Sequence, residues 1–82
     1  MKSIHDPRYR DLIQQLVDAR VASGITQTVL AEALGKPQSF IAKVENLDRR
    51  LDIVEMGDWL LALSQPADEF LARTGWPRKL HG

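Results

Sequence analysis

The chain has 82 residues, 44% of them hydrophobic, no cysteine, and 11 Lys and Arg against 11 Asp and Glu. That length gives one small domain with a thin core, for which dimerisation is a reasonable stabiliser. The missing cysteines exclude disulfides, thiolate nucleophiles and thiolate metal ligands.

The hydrophobic share is that of a foldable globular chain. No segment approaches the length of a bilayer span, and the N-terminus lacks the apolar run of a signal peptide, so a cytoplasmic protein is expected, with no membrane partner. A net charge of zero argues against nucleic acid, since a basic patch is the usual footprint, but the charges are unevenly placed. Residues 36–50 carry Lys36, Lys43, Arg49 and Arg50 against only Glu45 and Asp48, whereas residues 51–82 have an acidic excess.

Every clear periodic pattern is helical, which predicts an all-α fold of five helices with a core over residues 6–75 and a mobile tail over 76–82. A first helix is expected from Asp6-Pro7, with Asp6 as cap and Pro7 at the first helical position. Leu12, Ile13, Leu16 and Val17 form its apolar stripe, and Gly24 is its terminator. Thr26 is a good cap for a second helix through Leu34, with Leu30, Ala31 and Leu34 inward and Gly35 at its end. Lys36-Pro37 opens a third helix a few residues later, a spacing that fits a helix-turn-helix. Its inner face is Ile41 and Val44, and its outer face is polar and slim: Gln38, Ser39, Ala42, Lys43 and Asn46.

A loop over residues 46–51 leads to Asp52 and Glu55, spaced as a capping box for a fourth helix. Ile53, Met56, Trp59, Leu60 and Leu63 are its expected inner positions. Pro66 opens a fifth helix, through about Ala72 or Arg73, with Phe70 and Leu71 inward. A second apolar row, Val54 and Leu61, lies off the main stripe of the fourth helix. With Trp76 and Leu80 it is more apolar surface than one small core needs, and a twofold dimer interface is expected there.

The stretch "SGITQTVLAEALGKPQSFIAKVEN", residues 23–46, resembles the phage-repressor type of helix-turn-helix regulator, the Cro/cI-like or XRE family. The positions that carry the likeness are Gly24, Thr26-Gln27, Leu30-Ala31, Leu34-Gly35, Gln38-Ser39, Ile41 and Val44-Glu45-Asn46; "RRLDIVE", residues 49–55, is similar to one branch of the family. The resemblance covers residues 10–72. It implies a compact, lambda-repressor-like DNA-binding domain whose third helix enters the major groove.

A groove about 12 Å wide admits one helix, and hydrogen-bonding capacity with little bulk is what base reading requires. On this reading Gln38, Ser39, Ala42 and Lys43 meet bases, Gln38 as a bidentate partner of adenine. Thr26, Gln27, Lys36, Asn46, Arg49 and Arg50 meet phosphates, which set register without reading sequence. The family further implies that Gln27 braces Gln38, and that Arg20 and Glu45 form an ion pair locking the third helix to the first. Two positions depart from the family pattern. Pro37 replaces a Ser or Thr cap, and Leu47 stands where Gly is usual. Because Leu does not take positive φ cheaply, either Asn46 is expected to adopt that conformation or the third helix to run longer.

For an isolated helix, Gln38, Ser39 and Lys43 would be an ordinary solvated face; the flanking pattern favours DNA contact instead. Phe40 is expected to pack beside the second helix rather than to wedge against DNA. His5 and His81 have no partner at metal spacing, Asp52 and Glu55 are better explained as a helix start than as an acid–base pair, and no phosphate loop or nucleophile constellation appears. No enzyme, metal or cofactor is therefore expected. The expectation is a transcriptional regulator standing alone, a homodimeric repressor on palindromic double-stranded DNA. The alternative is a protein-binding module, an antitoxin or antiactivator, built on the same fold.

Overall fold

The computed structural model describes residues 3–75. After a short 3-10 turn at Ser3–His5, five helices follow: α1 (Pro7–Ala22), α2 (Gln27–Leu34), α3 (Gln38–Glu45), α4 (Ile53–Ala62) and α5 (Ala67–Thr74), with no strand among the described residues. Trp76 and Leu80 lie outside this range.

Local chemistry sets the helix starts. Asp6 accepts a hydrogen bond from Arg8 N (2.8 Å) at the head of α1, and Thr26 Oγ1 accepts from Val29 N (3.1 Å) at the head of α2. Asp52 and Glu55 exchange both bonds of a capping box, Glu55 N to Asp52 Oδ1 at 2.7 Å and Asp52 N to Glu55 Oε1 at 3.1 Å. Such caps satisfy amides that have no carbonyl within the helix. Pro37 and Pro66 precede α3 and α5 in extended conformation and cap neither with a side chain. Each sits one residue outside its helix, because a proline there needs no amide partner.

The first four helices end alike, with a left-handed residue and a pair of nested amide–carbonyl bonds. After α1 they are Gly24 N to Val21 O and Ile25 N to Arg20 O, and after α2 Gly35 N to Glu32 O and Lys36 N to Ala31 O. The left-handed residues are Gly24 and Gly35, then Leu47 (φ 65°) and Ser64 (φ 56°). The expectation for Leu47 is thus overturned: Asn46 stays at φ −86°, α3 stops at Glu45, and Leu47 itself turns left-handed. Leu47 N reaches Val44 O (3.1 Å) and Asp48 N reaches Lys43 O (2.8 Å), so two terminal carbonyls are satisfied. The turn also lays the half-buried Leu47 side chain against the core. Closure and burial together offset a left-handed penalty of roughly 1–2 kcal/mol.

All five helices supply one apolar core: Ile13 and Leu16, Leu30 and Ala31, Ile41 and Val44, Trp59, Leu60 and Leu63, and Phe70, each at most 3% exposed. Ile53 does not join them; it is 79% exposed. Periodicity puts it on the Leu60 face, but it is the first residue of α4, about 10 Å along the axis from Leu60. The face is right and the core ends before reaching it. Phe40 is half-buried and packs on Trp59, ring centroids 6.2 Å apart. Tyr9 Oη accepts from Leu51 N (3.0 Å), which ties α1 to the segment entering α4.

Candidate nucleic-acid interface

α3 turns Ile41 and Val44 into the core at full burial, so the opposite side must face out. Gln38, Ser39, Lys43 and Asn46 are exposed there, and Ala42 is half-buried between them. Thr26 is exposed at the head of α2, with Gln27 half-buried beside it. The Thr26 oxygen accepts the Val29 amide, which leaves its O–H as a donor.

One hydrogen-bond chain joins α1, α2 and α3. Arg20 grips Glu45 through two bonds, Nε to Oε2 at 2.7 Å and Nη2 to Oε1 at 3.0 Å, and donates from Nη1 to the carbonyl of Ile25 at 2.8 Å. Gln27 Nε2 donates to Glu45 Oε1 (2.7 Å), and Gln38 Nε2 donates to Gln27 Oε1 (2.6 Å). The ion pair is well shielded, with side chains 13% (Arg20) and 6% (Glu45) exposed. Glu45 is therefore turned inward.

A second cluster flanks α3. Arg49 pairs with Glu55 at 3.0 and 3.1 Å, donates to the Arg50 carbonyl at 2.7 Å, and lies 4.7 Å from the centre of the Phe40 ring. Lys36 Nζ is 5.4 Å from the same ring. The bonds from Arg49, helped by the Asp52 amide, hold the Glu55 carboxyl below its ordinary range; the same carboxylate raises Arg49. Arg49 thus has a structural job, its partner lying six residues away across a turn. Lys36 and Arg50 are exposed. Val54 (71% exposed) and Leu61 (79%) form a separate apolar patch on α4.

Sequence reasoning missed two contacts here, Arg49–Glu55 and Gln27–Glu45. The first had a usable signal, an arginine just before a capping-box glutamate. The second had none, because its partners are 18 residues apart on different helices. Among the described residues no helix is long and apolar enough to cross a membrane, and no group of three or more His, Asp or Glu is placed to hold a metal.

Comparison with known proteins agrees with this geometry. A helix-turn-helix family model matches residues 16–70. Among solved structures, the chain is similar to an XRE-family like protein from Pseudomonas syringae pv. tomato str. DC3000, with 43% sequence identity, 90% of each chain covered and a TM-score of 0.83. A search of curated proteins returned no match. The matched residues span α2 and α3 and the core around them, and the chain belongs to the XRE-type helix-turn-helix family of DNA-binding transcription regulators.

Proposed function

We propose that this chain binds double-stranded DNA sequence-specifically as a cytoplasmic homodimer, with α3 in the major groove of a palindromic operator, and that it represses transcription by occupying a promoter. The observation that carries the reading is the outer face of α3. Gln38, Ser39 and Lys43 stand clear of the fold on a helix anchored by Ile41 and Val44. One amide group, a hydroxyl and one cation on a slim surface suit the donors and acceptors of base edges. Gln38, Ser39, Ala42 and Lys43 are assigned to bases; Thr26, Gln27, Lys36, Asn46 and Arg50 are assigned to phosphates. Arg49 belongs with them through its exposed edge, its side chain being 43% exposed even while paired with Glu55. Val54 and Leu61 are assigned to the contact between two copies, because an isologous pair of α3 helices reads two half-sites.

Selection of fragments from a random DNA pool, followed by salt titration on the selected duplex, tests this. Binding is expected to fall steeply between 50 and 200 mM salt. Gln38→Ala should weaken binding by about 1–3 kcal/mol and relax preference at one position only. A uniform loss over all sequences would remove Gln38 from base reading.

A second reading has its own support in Ile53, Val54 and Leu61, all strongly exposed on α4. In that reading the fold docks another protein through α4. The salt titration separates the two, since an apolar contact does not weaken with salt as phosphate binding does.

A further inference from the structure

We propose that Glu55 is a positioning residue for DNA binding: it holds Arg49 by one edge of the guanidinium so that the other edge, Nε–H with Nη2–H, is turned to a phosphate beside α3. The proposal rests on the DNA-binding reading above, and it gives an acidic side chain a part in holding an anionic ligand.

An arginine carries five N–H groups in one fixed plane. Three of those on Arg49 have partners. Nη1 meets Glu55 Oε1 at 3.0 Å and the Arg50 carbonyl at 2.7 Å, and Nη2 meets Glu55 Oε2 at 3.1 Å. The two left over, Nε–H and the second N–H of Nη2, point the same way from one edge, and no hydrogen bond among the described residues uses them. Arg20 shows what that edge does in this fold: it grips the two oxygens of Glu45 through Nε at 2.7 Å and Nη2 at 3.0 Å. Two oxygens of a phosphate suit the same fork.

The rest of Arg49 is already fixed. Its amide donates to Lys43 O at 3.2 Å, and the Asp48 amide donates to the same carbonyl at 2.8 Å, which pins this loop to the last turn of α3. The guanidinium carbon lies 4.7 Å from the centre of the Phe40 ring, and that ring packs on the buried Trp59. Phe40 and Lys43, three residues apart, share one flank of α3, whereas Gln38 is held to Gln27 on the other. A helix in the major groove has a phosphate strand along each flank. On the DNA-binding reading Thr26 and Gln27 serve one strand and Arg49 the other.

Long side chains lose rotamer freedom when they bind, and for Arg49 that loss has already occurred on folding. Charge alone predicts the reverse effect of Glu55, since a carboxylate repels phosphate and its removal would tighten binding. Positioning is expected to win. The carboxylate lies across the guanidinium from the phosphate, where water screens it, while the fork gains two charge-assisted bonds.

The test titrates two duplexes, one selected by the wild type from a random DNA pool and one unrelated. The proteins are wild type, Glu55→Gln, Arg49→Ala, Arg49→Lys and the double variant Arg49→Ala/Glu55→Gln, with circular dichroism to check folding. Glu55→Gln keeps an oxygen for the Asp52 amide, as a capping box allows, and places an NH2 group against Nη2, which releases Arg49. It should bind both duplexes about three- to tenfold more weakly, although it removes a negative charge. Arg49→Ala should lose at least as much, with a log–log salt slope shallower by about 0.9. Arg49→Lys keeps the charge, lacks the fork and should also bind more weakly than wild type. In the Arg49→Ala background Glu55→Gln should bring no further loss. Unchanged or tighter binding by Glu55→Gln overturns the proposal, as does a loss from Glu55→Gln that persists without Arg49, or one confined to the selected duplex. Wild-type affinity in Arg49→Lys overturns it too, and that comparison decides if Glu55→Gln proves unfolded. If the wild type shows no salt-dependent binding to any duplex, the DNA-binding reading fails and this proposal with it.

Discussion

Two Arg–Glu pairs in this domain have nearly the same geometry and very different surroundings, which makes them a controlled comparison. Arg20–Glu45 closes at 2.7 Å with side chains 13% and 6% exposed; Arg49–Glu55 closes at 3.0 Å with 43% and 18% exposed. Arg20→Ala strands the Glu45 carboxylate in a shielded site with Gln27 as its remaining partner from this network, and also deprives the Ile25 carbonyl of a donor. Removing one member of a buried pair costs about 3–5 kcal/mol. The whole stability of a chain this size is about 4–12 kcal/mol, so the loss is about a quarter of it or more. At about 4–8 °C per kcal/mol, the melting midpoint should fall by more than about 12 °C.

Arg49→Ala breaks a pair that water already screens, and the midpoint should stay within roughly a few degrees of wild type. Urea unfolding of both variants, followed by circular dichroism at one protein concentration, measures the difference. Replacing both partners by apolar residues, Arg20→Met with Glu45→Leu, should recover most of the loss, because no charge is then left behind. Equal destabilisation by Arg20→Ala and Arg49→Ala would refute the reasoning, for it would mean that burial does not govern the strength of these pairs.

The left-handed ends of α3 and α4 give a second test. Ser64→Gly should stabilise by about 0.5–1 kcal/mol, since Ser64 is exposed and Gly removes the steric penalty at φ 56°. Leu47→Gly relieves the same strain but forfeits a half-buried side chain, so denaturant midpoints should show no gain of that size. For Glu55, a carboxyl held below its ordinary range contributes stability that is present at neutral pH and lost as acid protonates it. Urea curves of wild type and Glu55→Gln should therefore differ at neutral pH and converge as pH falls through the carboxylate range. Leu61→Glu should leave the thermal midpoint of the monomer nearly unchanged, given 79% exposure, while light scattering should show loss of the proposed dimer.

What could be read along the chain was whatever depends on neighbours in sequence. Asp6, Thr26 and the Asp52–Glu55 box marked three helix starts, because a cap and the amide it satisfies are two or three residues apart. Gly24 and Gly35 marked two ends, and the spacing of α2 and α3 with the resemblance around Gln27, Gln38 and Glu45 pointed to the family. Other features rest on partners that only folding brings together. Ile53 has the right phase for the core and lies beyond its edge, since periodicity assigns a face and not a depth. Leu47 adopts a conformation its own side chain disfavours, because packing against the core and two closing hydrogen bonds outweigh a local preference. Arg49 is drawn to Glu55 across a turn. The orientation of the Gln38 amide is decided through Gln27, 11 residues away, and Glu45, which itself answers to Arg20 at a separation of 25. Local sequence sets where helices begin and end because those energies act over one turn; which polar atom faces outward is set by contacts among three helices, and these exist only once the core has closed.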